Sequence, residues 1–244
     1  MKSANDHHVS RAVAGHIAAV ERATDDPAIL NALHALDGRI AFNRKEFATH
    51  LRATESVRAR IALVMLWGAA RTDHLVSSSI TGADASSQQD VWSRAAECRD
   101  EAATAEALQR TFLRLWRPPR YRKTRLPGAS VAFGTKILYW AAVAAGESQA
   151  TRLPLIYDQR VARSLRTLHG DDAWPLPVQG LPRQTYASYC LTATEWASQL
   201  ACTPDDVEVT LFNADGDVGR LGDLAGMTAP VVVERLEEPQ PSDT

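Results

Sequence analysis

Ile61 to Ala70 reads Ile-Ala-Leu-Val-Met-Leu-Trp-Gly-Ala-Ala, ten residues without a charged side chain and with the Trp67 indole as the one polar group. A helix that is apolar all round is stable only when other elements cover every side of it, so the rest of the chain has to be built as layers around a buried central helix. The Trp67-Gly68 step inside the run offers a place where a base or a backbone could approach closely, with core packing as the competing use. The run is too short to span a bilayer, which takes roughly eighteen or more apolar residues, and no other stretch of the chain reaches that length.

Helical periodicity dominates what surrounds this run, and strand alternation is scarce. The spacing predicts helices over Val9–Ala23, Ala28–Leu36, Arg44–Ala53, Glu55–Ser77, Gln88–Leu115, Thr135–Ala145, Gln159–Leu168, Gln184–Leu200 and Asp205–Asn213. Capping residues mark several starts: Asp26-Pro27, Asn43, Asp158 and Thr203-Pro204-Asp205-Asp206. Pro118-Pro119, Leu126-Pro127-Gly128, Gly146 and the stretch from Trp174 to Pro182 punctuate the elements. The expected class is therefore all-α, with one helical domain over residues 1–215. The glycine-rich 216–226 stretch and the Glu/Pro/Ser/Asp-rich end that follows read as a loosely structured tail over 216–244, although Ala229–Leu236 has the side chains to pack.

Charge and cysteine content exclude several classes. A net charge of −2 rules out coating nucleic acid by bulk electrostatics. The distribution is another matter: between Arg110 and Arg125 stand seven basic residues (Arg110, Arg114, Arg117, Arg120, Arg122, Lys123, Arg125) and no acidic one. Such a run serves as a solvated face or as a set of phosphate contacts. Cys98, Cys190 and Cys202 are odd in number and lack CxxC spacing, which supports neither a disulfide framework nor a zinc or iron–sulfur site. The histidines lack paired metal spacing, so no metal and no cofactor is expected. The Met1 to Arg11 stretch has no apolar signal core, and the expected location is the cytoplasm.

The chemistry concentrates between residues 128 and 160. Glycines in a tight turn between helices present backbone N–H groups to an anion, and Lys136 would follow in the first turn of the next helix. There the positive end of the helix dipole and partial desolvation would favour a neutral, nucleophilic amine. An ordinary surface lysine on an amphipathic helix is the plainer reading. Twenty-two residues on, Pro154-Leu155-Ile156-Tyr157-Asp158-Gln159-Arg160-Val161 places Asp158 immediately before a helix. As an N-cap it would accept the N–H of Arg160 or Val161. The same bonds would hold it ionised and fixed, suited to stabilising a cationic sugar or to taking a proton from Lys136.

Phe133-Gly134-Thr135-Lys136, Pro154 through Val161, and Leu211-Phe212-Asn213-Ala214-Asp215, in that order, resemble the helix-hairpin-helix DNA glycosylases, most closely the 8-oxoguanine glycosylase branch and its bacterial relatives. The resemblance runs from about residue 60 to 215 and implies an all-α, two-lobed fold, with the hairpin and catalytic turn at about 110–170. Double-stranded DNA would be bent across the cleft by a monomeric protein, and a modified base flipped into a pocket. It implies Lys136 as the Schiff-base nucleophile and Asp158 as the catalytic carboxylate. Arg120, Arg122, Lys123, Arg125, Gly134 and Thr135 would meet DNA phosphates. Arg160 stands where the family has a histidine, and Asp215 matches that histidine's partner, so the two are expected to form a mainly structural pair.

Departures from the family pattern bear on substrate. Five residues, Ala129 to Phe133, separate Leu126-Pro127-Gly128 from Gly134-Thr135-Lys136, which alters the hairpin. Trp140 occupies the position of a small thiol in the eukaryotic oxoguanine enzymes and would reshape the pocket wall. Phe212 matches the pocket phenylalanine, and Glu208 stands where a glutamine bonds the purine edge. An ionised glutamate only accepts hydrogen bonds, so it favours an edge that offers an amino group, such as cytosine N4. Trp174 joins Trp140 as a tryptophan with a use beyond the core, and Tyr186 and Tyr189 either present hydroxyls to DNA or fill the core. The resemblance includes phage-defence glycosylases that remove glucosylated hydroxymethylcytosine, and that is the leading expectation. Oxoguanine excision in base-excision repair, with or without lyase nicking, is the alternative. A DNA-binding protein that has lost catalysis is a third.

Overall fold

The computed structural model describes residues 20–22, 24–36, 43–68, 84–101, 104–115, 126, 129–146, 154–170, 173–227 and 230–234. Most of the expected Val9–Ala23 helix, residues 69–77, and the basic side chains of Arg120, Arg122, Lys123 and Arg125 lie outside them, as do Pro127 and Gly128.

Helices and tight turns make up the described residues, as an all-α chain requires. Among the described residues the bounded α-helices are α1 (Pro27–His34), α2 (Arg44–Ala53), α3 (Val57–Gly68), α4 (Ala85–Glu101), α5 (Ala105–Leu115), α6 (Val131–Ala144), α7 (Gln159–His169), α8 (Arg183–Gln199) and α9 (Pro204–Ala214). Local capping explains many of the starts. Asp26 accepts the Ala28 N–H ahead of α1, Asn43 and Glu46 form a reciprocal capping box at α2, and Thr203 and Asp206 form another at α9. Several boundaries differ from the sequence expectation, two of them with a clear local cause. A single helix over Gln88–Leu115 is instead α4 and α5, because Thr104 takes the Ala107 N–H on its hydroxyl and starts a new helix. α6 begins at Val131 rather than Thr135, since burial of the apolar side chains of Val-Ala-Phe offsets the weak helix preference of Gly134.

The described part of the apolar run, Ile61 to Gly68, forms the second half of α3, where every residue from Ile61 to Trp67 is buried. α3 packs against α1, α4 and α6, and α6 is itself covered by α2, α3 and α4. α5 joins α4 to α8, α8 packs on α9, and α9 on α7. One continuous hydrophobic cluster runs through all of them. Each fully buried aliphatic side chain in it contributes roughly 1.5–3 kcal/mol. Among the described residues no helix is long and apolar enough to cross a membrane.

The stretch after α9 is not the loose tail expected from residue 216. Two short 3-10 turns, Val218–Arg220 and Gly222–Gly226, sink Leu221 and Leu224 into the core. The glycines that suggested disorder provide left-handed turns, with φ of +87° at Gly216 and +55° at Gly222. Farther on, the Val231 N–H donates to Thr192 Oγ1 at 2.9 Å, the Val233 N–H to Ser188 Oγ at 3.1 Å, and Gln109 Nε2 to the Glu234 carbonyl at 2.9 Å. The segment through Glu234 is thereby tied to α8 and α5.

Candidate active site

Lys136 projects from the second turn of α6, six positions beyond the N-cap Ser130. The dipole field is felt within the first turn, so the expected contribution from the helix end does not reach it. The same shift in the helix start removes Gly134 from the phosphate loop. Its N–H makes an intrahelical bond to the Ser130 carbonyl at 2.8 Å, and the residue is buried. Thr135 is fully buried as well. Its hydroxyl accepts the Tyr157 N–H at 3.0 Å and lies 3.3 Å from the Tyr157 carbonyl. Gly134 and Thr135 are therefore engaged within the protein, where the threonine sews α6 to the segment that carries the aspartate.

That segment, residues 154–158, is buried, lies outside any helix, and is held by side chains. Besides Thr135, Tyr186 donates its hydroxyl to the Leu155 carbonyl at 2.9 Å and Tyr189 donates to the Ile156 carbonyl at 3.0 Å. Tyr157 reaches out to the Pro175 carbonyl at 2.9 Å. Carbonyls in a buried segment outside any helix have no intrahelical partner, and each would be expensive to bury alone. The tyrosines of α8 meet that need, so they serve the site by holding its backbone, not by touching DNA. Burial pushes the phenols of Tyr157 and Tyr189 above their usual range, as fits hydroxyls kept as donors.

At the end of this segment Asp158 caps α7. Its Oδ1 accepts the N–H groups of both Arg160, at 3.0 Å, and Val161, at 3.2 Å. Oδ2 is left for Lys136, whose Nζ stands 3.5 Å away. The side chains are 9% and 11% exposed, so this amine and this carboxylate meet in a site mostly shielded from water. Nζ also lies 5.4 Å from the centre of the Phe133 ring, one turn back on α6.

Beside the pair lies a buried polar cluster that the sequence reading did not find. Arg44, the first residue of α2, donates through Nη1 to Asp205 Oδ1 at 2.5 Å and through Nη2 to Glu208 Oε2. Tyr139 of α6 donates to the other oxygen of Asp205 at 3.0 Å, and the guanidinium lies 4.9 Å over its ring. Glu208 is wholly buried. Desolvation pushes its carboxyl up to about 7; the Arg44 charge opposes this, while Asp205 and Asp158 add to it. Around neutral pH Glu208 is thus not the fixed acceptor that sequence suggested. Its Oε1 makes no protein hydrogen bond. Burial alone would lower the Arg44 guanidinium, but the two carboxylates outweigh it and hold the cation firmly charged.

Trp140 does not form a pocket wall. It is fully buried, edge-on to Phe47 at 4.6 Å, to Tyr139 at 4.9 Å and to Trp67 at 5.1 Å between ring centres. Trp174 is buried too. Phe212 is partly exposed, with the Arg160 guanidinium 4.8 Å over its ring. The expected Arg160–Asp215 pair exists at 3.5 Å, but Asp215 has a shorter bond at 2.6 Å from Arg163 Nε, a partner the sequence reading missed. Arg163 sits one turn further along the face of α7 that packs on α9, which is the signal that could have found it. Ser164 completes that joint, donating to the Leu211 carbonyl at 2.6 Å and accepting the Gly216 N–H at 2.9 Å. Among the described residues no group of three or more His, Cys, Asp or Glu side chains is placed to hold a metal ion.

Residues 3–212 match a family model described as "Putative 8-oxoguanine DNA glycosylase OGG-like protein". No curated protein and no solved structure matches the chain.

Proposed function

The chain belongs to the family of 8-oxoguanine DNA glycosylase OGG-like proteins, and we propose that it flips a modified base out of double-stranded DNA and cuts the N-glycosidic bond with Lys136 and Asp158. The observation that carries this reading is the 3.5 Å approach of Lys136 Nζ to Asp158 Oδ2 in a site shielded from water. Nζ attacks C1′ of the flipped nucleotide; the C1′–N bond breaks and its electron pair leaves with the base. Nζ gives up a proton to Asp158, and that proton neutralises the departing base. Until then the carboxylate stabilises the positive charge that develops on the sugar. Ring opening yields an imine between Nζ and C1′, which water hydrolyses to the free lysine and an abasic site. Elimination of the 3′-phosphate from the imine is the lyase branch.

The protein would act as a cytoplasmic monomer, with the duplex bent across a cleft between two helical lobes and its phosphates met by Arg120, Arg122, Lys123 and Arg125. Phe212 of α9 would face the base, with the buried Glu208 one turn before it on the same helix. The preferred substrate is a hypermodified cytosine such as glucosylated hydroxymethylcytosine of phage DNA, removed as antiviral defence. What supports it is a carboxyl at Glu208, with Oε1 uncommitted, where oxoguanine readers have an amide. The family description favours a second reading, excision of oxoguanine in repair.

The test is incubation with a duplex carrying oxoguanine and with phage DNA carrying glucosylated hydroxymethylcytosine, followed by probing for abasic sites. Abasic sites are expected in the phage DNA; cleavage of the oxoguanine duplex alone would select the second reading. Lys136→Gln should abolish borohydride crosslinking, and Asp158→Asn should bind DNA yet release little base. Undiminished excision by Lys136→Gln would refute the covalent role.

A further inference from the structure

Gly68, the last residue of α3, lies against the stem of Lys136. A methyl group built on its Cα would stand 2.6 Å from Lys136 Cδ and 3.1 Å from Cε, and 3.2 Å from Phe133 Cε1. The first distance is shorter than side-chain carbons tolerate, and what fills the space is the middle of the lysine chain. The stem cannot easily move aside. Its root is fixed in the second turn of α6, its amine is engaged by Asp158 at 3.5 Å, Phe133 closes the adjacent flank, and only 9% of the side chain is exposed. Nor does the backbone call for glycine, since Gly68 is absent from the positive-φ residues and a helical position ordinarily favours alanine. The glycine is there for space.

We propose that Gly68 is a positioning residue: the side chain it lacks is the lane in which the Lys136 stem lies, and that lane sets where the amine meets C1′. The proposal rests on the glycosylase reading above. A methyl group in the lane forces the stem over, carrying Nζ away from Asp158 and from the attack line. Displacement of a reacting group by an ångström is enough to slow a step by up to about a hundredfold.

The experiment uses the full chain and a duplex containing one abasic site generated from uracil, which needs no knowledge of the natural base. Nζ condenses with the C1′ aldehyde of the ring-opened sugar with loss of water, and borohydride delivers hydride to the resulting C=N bond, leaving a stable secondary amine. For Gly68→Ala the single-turnover trapping rate should fall about tenfold or more, while the dissociation constant for the duplex stays within about twofold of wild type. Adding Phe133→Leu, which opens the adjacent flank, should recover a substantial part of the lost rate. Gly68→Ala trapping at the wild-type rate overturns the proposal. So does a loss of rate that merely tracks loss of folded protein and is not rescued in the double variant. Failure of wild-type protein to trap, with Gly68→Ala equally inert, defeats the parent reading instead, so the two failures are told apart.

Discussion

Arg44 and Glu208 stand 164 positions apart in the chain and meet as an ion pair that is sealed from solvent on both sides, at 5% and 1% side-chain exposure. The pair ties the start of α2 to the middle of α9, and the charges facing Glu208 come from three elements: Arg44 on α2, Asp205 on α9 and Asp158 ahead of α7. Burial dominates and lifts the Glu208 carboxyl from 4.5 to about 7. A carboxyl raised in the folded state binds its proton more tightly when folded than when unfolded. Its stabilising contribution is complete below pH 4.5 and is lost as pH rises through about 7.

Glu208→Gln should remove that dependence. At about 1.4 kcal/mol per unit, the shift is worth on the order of 3 kcal/mol. Urea unfolding of wild type, referred to the glutamine variant at each pH, should lose stability of that order between pH 4.5 and pH 7.5. Parallel pH profiles for the two proteins would mean that Glu208 does not titrate in this window.

Thr135→Val preserves shape and removes a hydroxyl that accepts the buried Tyr157 N–H. The stranded donor should cost roughly 1–3 kcal/mol. Because Tyr157 immediately precedes Asp158, the loss should also appear in chemistry: trapping on an abasic duplex should slow by more than DNA affinity weakens. Thr135→Ser keeps the hydroxyl and should retain most of the rate. A valine variant that lost stability but trapped at full speed would confine Thr135 to a role in folding.

How much of this was legible in sequence follows the range of the forces involved. Caps act within three residues, so Asn43, Asp158 and Thr203 announced their helices and Asp158 its orientation. The Lys136–Asp158 pair, 22 residues apart, was visible through an ordered motif. Local pattern failed where burial decided: Val131–Gly134 joined α6 because its apolar side chains had a core to enter, and Gly134, Thr135 and Trp140 are buried with it. Arg44 gave no signal, since its partners lie over 160 residues away and a basic residue at a helix start looks like a surface charge. The glycines of 216–226 were read as looseness, whereas their left-handed turns are what let Leu221 and Leu224 dock.

Two arginines of α7 compete for Asp215, and their distances predict which one matters for stability. Arg163 bonds it at 2.6 Å, while Arg160 approaches only to 3.5 Å and is half exposed. Half-exposed pairs contribute little, about 0–1 kcal/mol. Arg163→Ala should therefore lower the unfolding free energy by about 1 kcal/mol, and Arg160→Ala by less than about 0.5. Equal losses in urea titrations would show that Asp215 does not discriminate between them.

Trp140→Cys restores the residue type that the eukaryotic oxoguanine enzymes carry one turn beyond the lysine, and it separates a pocket role from a core role. If the indole bordered the flipped base, the smaller thiol would open room for a purine and raise activity on oxoguanine. The structure argues otherwise, because the ring is locked against Phe47, Tyr139 and Trp67 with no exposed edge. Removing it leaves a cavity at the joint between α2, α3 and α6, and truncation of a buried tryptophan costs about 3–5 kcal/mol. The expected outcome is a large fall in melting temperature with no gain in oxoguanine release per folded molecule. Trp140→Phe, which keeps an aromatic ring among its neighbours, should recover most of that stability; a cysteine variant that melted like wild type and released oxoguanine faster would return Trp140 to the pocket.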